Sequence, residues 1–122
     1  VALKDGSLIV TSSGGDPHLS FKLPTEVTQE ELILKLTMSS DSKGSGNIFW
    51  QEKGVIPVFF RDRSRSFEVQ HDGQPHDYSI SWSAKNPVVA VRIDPSTAPG
   101  KITISRIQLV DGDGNEVYRW KF

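Results

Sequence analysis

The stretch from Glu31 to Ser39 alternates between apolar and polar side chains. Leu32, Leu34, Leu36 and Met38 have one parity, Lys35, Thr37 and Ser39 the other, and Ile33 is the one apolar residue out of phase. A period of two belongs to an extended chain with one face buried, because successive side chains of a strand point to opposite sides. His76 to Ser83 repeats the pattern, with Tyr78, Ile80 and Trp82 set against Ser79, Ser81 and Ser83. Shorter runs of the same kind occupy Ser7 to Thr11, Asn47 to Glu52, Ser64 to Gln70, Val88 to Asp94, Lys101 to Val110 and Glu116 to Phe122. Turn-forming clusters fall between them: Gly14-Gly15-Asp16-Pro17, Ser42 to Gly46, Asp72-Gly73, Asn86-Pro87, Pro99-Gly100 and Asp111-Gly112-Asp113-Gly114. Eight or nine short strands at this spacing predict an all-β fold, an antiparallel β-sandwich of jelly-roll type with little or no helix.

Two details refine that expectation. Between Lys101 and Val110 the apolar parity slips, Ile102 and Ile104 having one phase and Ile107 and Leu109 the other; a β-bulge at Ser105-Arg106 keeps all four on the core side. Thr28-x-x-Glu31 imitates a helix capping box, but the alternation from Leu32 to Met38 outweighs it. No linker or internal repeat interrupts the chain, so residues 1–122 are expected to form a single domain, carbohydrate-binding-like in the reading developed below.

Composition excludes several classes of function. There is no cysteine, which removes disulfides, thiolate zinc sites and cysteine nucleophiles. The net charge of −1 gives no global pull toward nucleic acid or an anionic membrane, and no apolar run approaches the roughly 20 residues of a membrane span. His18, His71 and His76 form no spaced ligand pair; His71 and His76 flank the turn Asp72-Gly73-Gln74-Pro75 and read as turn histidines held by local hydrogen bonds. Asp111-x-Asp113-x-Asn115 has the oxygen spacing that opens a calcium loop, yet Glu116 stands where such loops need glycine, so the tip of a last hairpin is the simpler reading. Asp94, Asp111 and Asp113 are the weak calcium candidates; no cofactor is expected beyond a structural calcium held by such groups. No carboxylate pair, serine elbow, phosphate loop or dinucleotide fingerprint stands out, and no enzymatic activity is expected.

Binding chemistry is better represented. Arg61-Asp62-Arg63-Ser64-Arg65 is the densest charge feature and reads first as a solvated loop pairing with Asp62 and neighbouring acids. Arg61 and Arg63 are otherwise candidates for holding carboxylate or sulfate groups, which a guanidinium meets with two parallel hydrogen bonds. Phe49 and Trp50 are adjacent on one strand and must face opposite ways, so one of the two rings lies outside the core as a candidate stacking platform. Trp82 shares its parity with Tyr78 and Ile80 and reads as core; Trp120 reads as core or edge packing. Arg92 and Asp94 alternate against Val91 and Ile93, which projects them onto an outer face shared with Gln51 and either Phe49 or Trp50, where they read as sugar contacts or as a polar network fastening neighbouring strands.

From Gly46 onward, Asn47-Ile48-Phe49-Trp50, the strand Arg65-Ser66-Phe67-Glu68-Val69, Asp72-Gly73 followed by His76-Asp77-Tyr78, and Val91-Arg92-Ile93-Asp94-Pro95 with Ala98-Pro99-Gly100 resemble one kind of module. Ile102-x-Ile104 with Ile107-x-Leu109 and the early turn Gly15-Asp16-Pro17 fit it as well. The chain resembles the carbohydrate-binding-module-like jelly-roll domains appended to bacterial secreted sulfatases and related polysaccharide-processing proteins. That resemblance implies a non-catalytic accessory domain, extracellular or periplasmic, with a polysaccharide or oligosaccharide as partner, anionic or sulfated polymers included. It also implies an adjacent catalytic domain, while the charge and hydropathy above give no expectation of nucleic acid or membrane as partner. The expected contacts are Phe49 or Trp50 by stacking, with Gln51, His76, Arg92 and the pair Arg61 and Arg63 bonding polar or anionic groups. The alternative is a structural sandwich that packs on a neighbouring catalytic domain without binding sugar.

Overall fold

The computed structural model describes all 122 residues. Ten strands form: β1 (Ala2–Lys4), β2 (Ser7–Ser12), β3 (Leu19–Val27), β4 (Glu31–Ser40), β5 (Gly46–Glu52), β6 (Ser64–Phe67), β7 (His76–Ser83), β8 (Val88–Asp94), β9 (Gly100–Asp111) and β10 (Glu116–Trp120). One 3-10 turn, Arg61–Arg63, leads into β6. They make two antiparallel sheets. The larger has the order β1-β2-β9-β4-β7, with β10 also paired to β9, and the smaller has the order β3-β8-β5-β6. Strands β2 and β10 lie end to end along β9, β2 pairing with Gly100 to Ile104 and β10 with Ile107 to Val110. The chain crosses between the sheets repeatedly, and the all-β sandwich expected from the alternation is the fold observed.

The core lies where the inward parities of the two sheets meet. Leu32, Leu34, Leu36 and Met38 of β4 face Ile48 and Trp50 of β5 and Val91 and Ile93 of β8, all buried. The bulge in β9 is present: Thr37 pairs with Arg106 and Met38 with Ile104, which leaves Ser105 without a partner. The extra residue restores phase, so Ile102, Ile104, Ile107 and Leu109 are each 0% exposed. Between the sheets Trp50 and Trp82 stack with centroids 5.0 Å apart and an interplanar angle of 16°. Trp120 packs edge-on against Phe21 and Tyr118 at the rim of the core.

Two strands go beyond those read from the alternation. Asp5 and Gly6 both take positive φ, 53° and 77°, and close a tight hairpin between β1 and β2; this is the primed turn that Asp-Gly favours. In β3, Leu19 and Phe21 pair opposite Ile93 and Val91, but the ladder is irregular between Lys22 and Val27, a stretch containing Pro24, which has no amide hydrogen to donate. Strand β6 also stops at Phe67, short of Gln70, because the chain there crosses to β7, and the Gln70 amide donates to the Tyr78 hydroxyl at 3.0 Å.

Candidate functional site

The outer face of the smaller sheet is built by the parity opposite to the core. On β8 the outward residues are Ala90, Arg92 and Asp94, and on β5 they are Asn47, Phe49 and Gln51. Register aligns them in cross-strand rows. One row runs Ser20, Arg92, Phe49, Ser64; a second holds Asp94, Asn47 and Ser66; a third holds Lys22, Ala90 and Gln51. Four strands at about 4.8 Å spacing make a surface roughly 14 Å wide between outer strand axes, enough for a short oligosaccharide lying flat. Its middle row sets Arg92 beside Phe49, and Ala90 in the next row is buried.

Arg92 organises this face. Its Nε and Nη2 donate to the two oxygens of Asp94, both at 2.8 Å, in the bidentate fork that guanidinium and carboxylate share. Its Cζ also lies 5.1 Å from the Phe49 centroid, a cation–π contact. The Asp94 hydrogen bonds hold the guanidinium more firmly in its charged form; burial opposes them, and the Asp94 and Asp16 charges add to them. The group is therefore clamped in orientation before any ligand arrives. Nη1 makes no hydrogen bond inside the protein and offers its donors at the surface. Amides on Asn47 and Gln51, hydroxyls on Ser20, Ser64 and Ser66 and the ammonium of Lys22 surround it.

The residues singled out in the sequence separate into four places. Phe49, Gln51 and Arg92 share the outer face. Trp50 does not: it is 2% exposed, and its ring is closed off by Trp82, so Phe49 is the ring of the pair outside the core. His76 lies on β7, the edge of the other sheet, opposite Met38, where its Nε2 meets the Asp72 carboxylate at 2.9 Å; it cannot join Arg92 and Gln51 on one face. Arg61 and Arg63 occupy the 3-10 turn at the sheet edge. Arg61 sits over Phe60, with Cζ 5.9 Å from the centroid, and Arg63 donates through Nη2 to the Pro57 carbonyl.

The calcium candidates have other commitments. Asp94 gives both oxygens to Arg92, and Asp111 Oδ1 accepts from the amides of Asp113 and Asn115 at 3.0 and 2.9 Å, fastening the hairpin tip. No three His, Asp or Glu side chains gather closely enough to hold a metal ion. His71, like His76, is tied locally, with Nδ1 at 2.7 Å from Ser40 Oγ and Nε2 at 2.7 Å from the Gly44 carbonyl.

A second feature escaped the sequence reading. At the open edge of the sandwich, Glu52 is buried and accepts hydrogen bonds from Trp50 Nε1 at 2.9 Å, from the Asn86 amide at 3.1 Å and from Asn86 Nδ2 at 3.0 Å. Burial alone raises its pKa, but those bonds and the nearby Arg63 charge prevail and lower it from the ordinary 4.5. A group held ionised in this way is unsuited to be the proton donor of glycoside hydrolysis, which needs the opposite shift. The parity of Glu52 with Trp50 was the available signal, since two residues apart on a strand means the same face.

No family model matches the sequence, and no curated protein sequence matches it. The fold has solved relatives. The apo carbohydrate-binding module named PbXyn10C CBM superposes with a TM-score of 0.61 at 16% identity, over 96% of this chain and 76% of that one. The apo module named BiXyn10A CBM1 gives a TM-score of 0.53 at 20% identity, over 84% of this chain and 69% of that one. The two-sheet architecture described above is therefore shared with carbohydrate-binding modules.

Proposed function

We propose that this chain is a non-catalytic carbohydrate-binding module that lays a polysaccharide or oligosaccharide across the outer face of the smaller sheet. The observation that carries the proposal is the clamped Arg92, held between the Phe49 ring and the Asp94 fork with free donors at the surface. A flat apolar ring beside fixed donors and rotatable amides suits a sugar, which has an apolar face and a rim of hydroxyls. Fixing the guanidinium in advance lowers the entropy lost on binding. The likeness to two Xyn10 carbohydrate-binding modules supports the same reading and makes xylan the first polymer to try. Sugar contact is direct in this proposal, without a calcium bridge. The setting proposed is that of an accessory domain beside a carbohydrate-active enzyme, extracellular or periplasmic in a bacterium, the sulfatase-associated systems of the sequence resemblance among them.

Affinity electrophoresis in gels containing xylan, other neutral polysaccharides and sulfated polysaccharides tests it. The domain is expected to be retarded by at least one polymer, with or without a calcium chelator, and Phe49→Ala and Arg92→Ala to migrate freely. Unretarded migration of the unaltered domain across the whole panel would overturn the proposal.

A packing role against a catalytic domain has one observation in its favour. Ile56, Val58 and Phe60, in the loop before β6, are 84%, 43% and 38% exposed. Ile56→Ser is expected to leave sugar binding intact; loss of binding in that variant would place the loop in the sugar site instead.

A further inference from the structure

The β5–β6 edge of the sandwich carries a cleft of about 320 Å³ that is separate from the outer face. Trp50, Arg63 and Arg65 line it on one side, and Ser83, Lys85 and Asn86 on the other. It forms because β6 pairs with β5 only as far as Phe49. Beyond that point the edge of Trp50 has the 3-10 turn beside it rather than a strand. Arg65 shares the parity of Ile48 opposite it, and its guanidinium reaches back over the Trp50 ring, with Cζ 5.5 Å from the centroid.

The electrostatics of the cleft are lopsided. Arg63, Arg65 and Lys85 supply three cations, against the carboxylates of Asp62 and Glu52. Glu52 accepts its hydrogen bonds from the neutral donors of Trp50 and Asn86 and keeps its charge, so three cations against two carboxylates leave the lining with one positive charge in excess. None of the three cations takes part in any of the chain's four ion pairs, which join Lys53 to Glu26, His76 to Asp72, Arg92 to Asp94 and Arg119 to Glu116. Arg65 and Arg63 spend single donors on the carbonyls of Ser64 and Pro57. Arg63 Nε is shielded from solvent and has no hydrogen-bond partner in the protein, an uncommon expense for a guanidinium. Cations that face one opening, unpaired and with donors to spare, favour an oxyanion.

We infer that this edge cleft is a second binding site, for an anionic substituent of the polysaccharide, a uronate carboxylate or a sulfate ester. The inference rests on the reading of the chain as a carbohydrate-binding module and adds a separate site to it. Neutral backbone sugars lie on the Phe49 face, and an acidic branch or ester is taken at the edge by Arg65 and Lys85. Asn86 adds a neutral donor beside them, the second hydrogen of an Nδ2 that gives its first to Glu52.

The test uses the whole chain and three matched probes: an unbranched xylo-oligosaccharide, the same oligosaccharide with one glucuronate branch, and the same oligosaccharide with one sulfate ester. Calorimetric titration at low salt is expected to show one or both acidic probes binding about tenfold more tightly than the neutral parent, a difference of about 1.4 kcal/mol. The preference should shrink as salt rises toward 1 M, where the screening length drops to about 3 Å. The double variant Arg65→Gln, Lys85→Gln should erase it while leaving the neutral probe unchanged. The Trp50 indole proton should shift in NMR spectra with an acidic probe and stay still with the neutral one. Equal affinity for all three probes, or a preference that survives in the double variant, overturns the inference while leaving the outer-face proposal standing. Acidic binding that is lost in the double variant, with no affinity for the neutral probe, supports the edge site and overturns the placing of an unbranched xylan chain on the outer face. Failure of all three probes to bind overturns the inference, while the outer-face proposal is then decided by the wider polymer panel.

Discussion

Removing the Glu52 carboxylate should cost far more stability than its place near the sandwich edge suggests. In Glu52→Ala, the Trp50 indole loses its acceptor inside a site where Trp50 is 2% exposed, and the Asn86 amide and side chain lose theirs. A buried donor left unpaired costs about 1–3 kcal/mol, and bonds to a charged acceptor lie in the upper part of the usual range. The relief of no longer burying a charge offsets part of this, since burial by itself works against the ionised group. The net expectation is a loss of about 2–3 kcal/mol near neutral pH, or roughly 10 °C in melting temperature for a domain of this length. The sign of the pH dependence follows from the lowered pKa. The unfolded chain takes up the proton first, so this stabilisation is full above about pH 4.5 and is lost as pH falls through the folded value. Urea unfolding followed by tryptophan fluorescence, at about pH 7 and again at about pH 3, reads both effects. The gap between the parent and Glu52→Ala should narrow in acid. A cost below about 0.5 kcal/mol at neutral pH, or a gap that does not change with pH, would refute the reasoning.

Other positions give sharper tests of the fold. Gly46→Ala places a Cβ 2.5 Å from the Phe67 ring and should cost about 1–3 kcal/mol by overpacking, measured by the same urea titration. Gly6→Ala, at φ 77° with nothing within 4 Å of the added carbon, isolates backbone strain, and about 1 kcal/mol is expected from thermal melts. Leu34→Ala, at a position 0% exposed in the centre of β4, should lose about 2–5 kcal/mol in urea. A chelator should leave both melting temperature and sugar affinity unchanged, because Asp94 and Asp111 are already bonded to Arg92 and to backbone amides.

Much of the sandwich could be read from alternation because each buried strand has one wet and one dry face. The slip at Ser105 was legible for the same reason: four isoleucines and leucines in two phases can reach one core only through an extra residue. Strand β3 went unread although Leu19, Phe21 and Leu23 alternate, because Pro24 breaks the run and the partner strand lies far along the chain. Strand β1 lacks the signal altogether, since Ala2, Leu3 and Lys4 are all exposed; only the Asp5-Gly6 turn marked it. The outer face was partly legible. Parity put Arg92, Gln51 and one ring together, but adjacency alone could not say whether Phe49 or Trp50 was outside. That choice depends on Trp82, a residue of the opposite sheet, whose ring fills the space next to Trp50. His76 was grouped with Arg92 on chemistry alone; sheet membership decides such groupings, and it put them on different sheets. The edge cleft depends on the early end of β6 and on the β7–β8 turn, which are tertiary facts with no local pattern.

Chemical-shift mapping of the isotope-labelled domain, titrated with xylo-oligosaccharide, tests most directly whether the outer face of the smaller sheet binds sugar. Shifts should concentrate on Ser20, Asn47, Phe49, Gln51 and Arg92, and Phe49→Ala should abolish them, with a loss of affinity of at least about thirtyfold for removal of a central aromatic contact worth about 2 kcal/mol or more. Shifts confined to another surface, or saturation of Phe49→Ala at the same concentration as the parent, would contradict it.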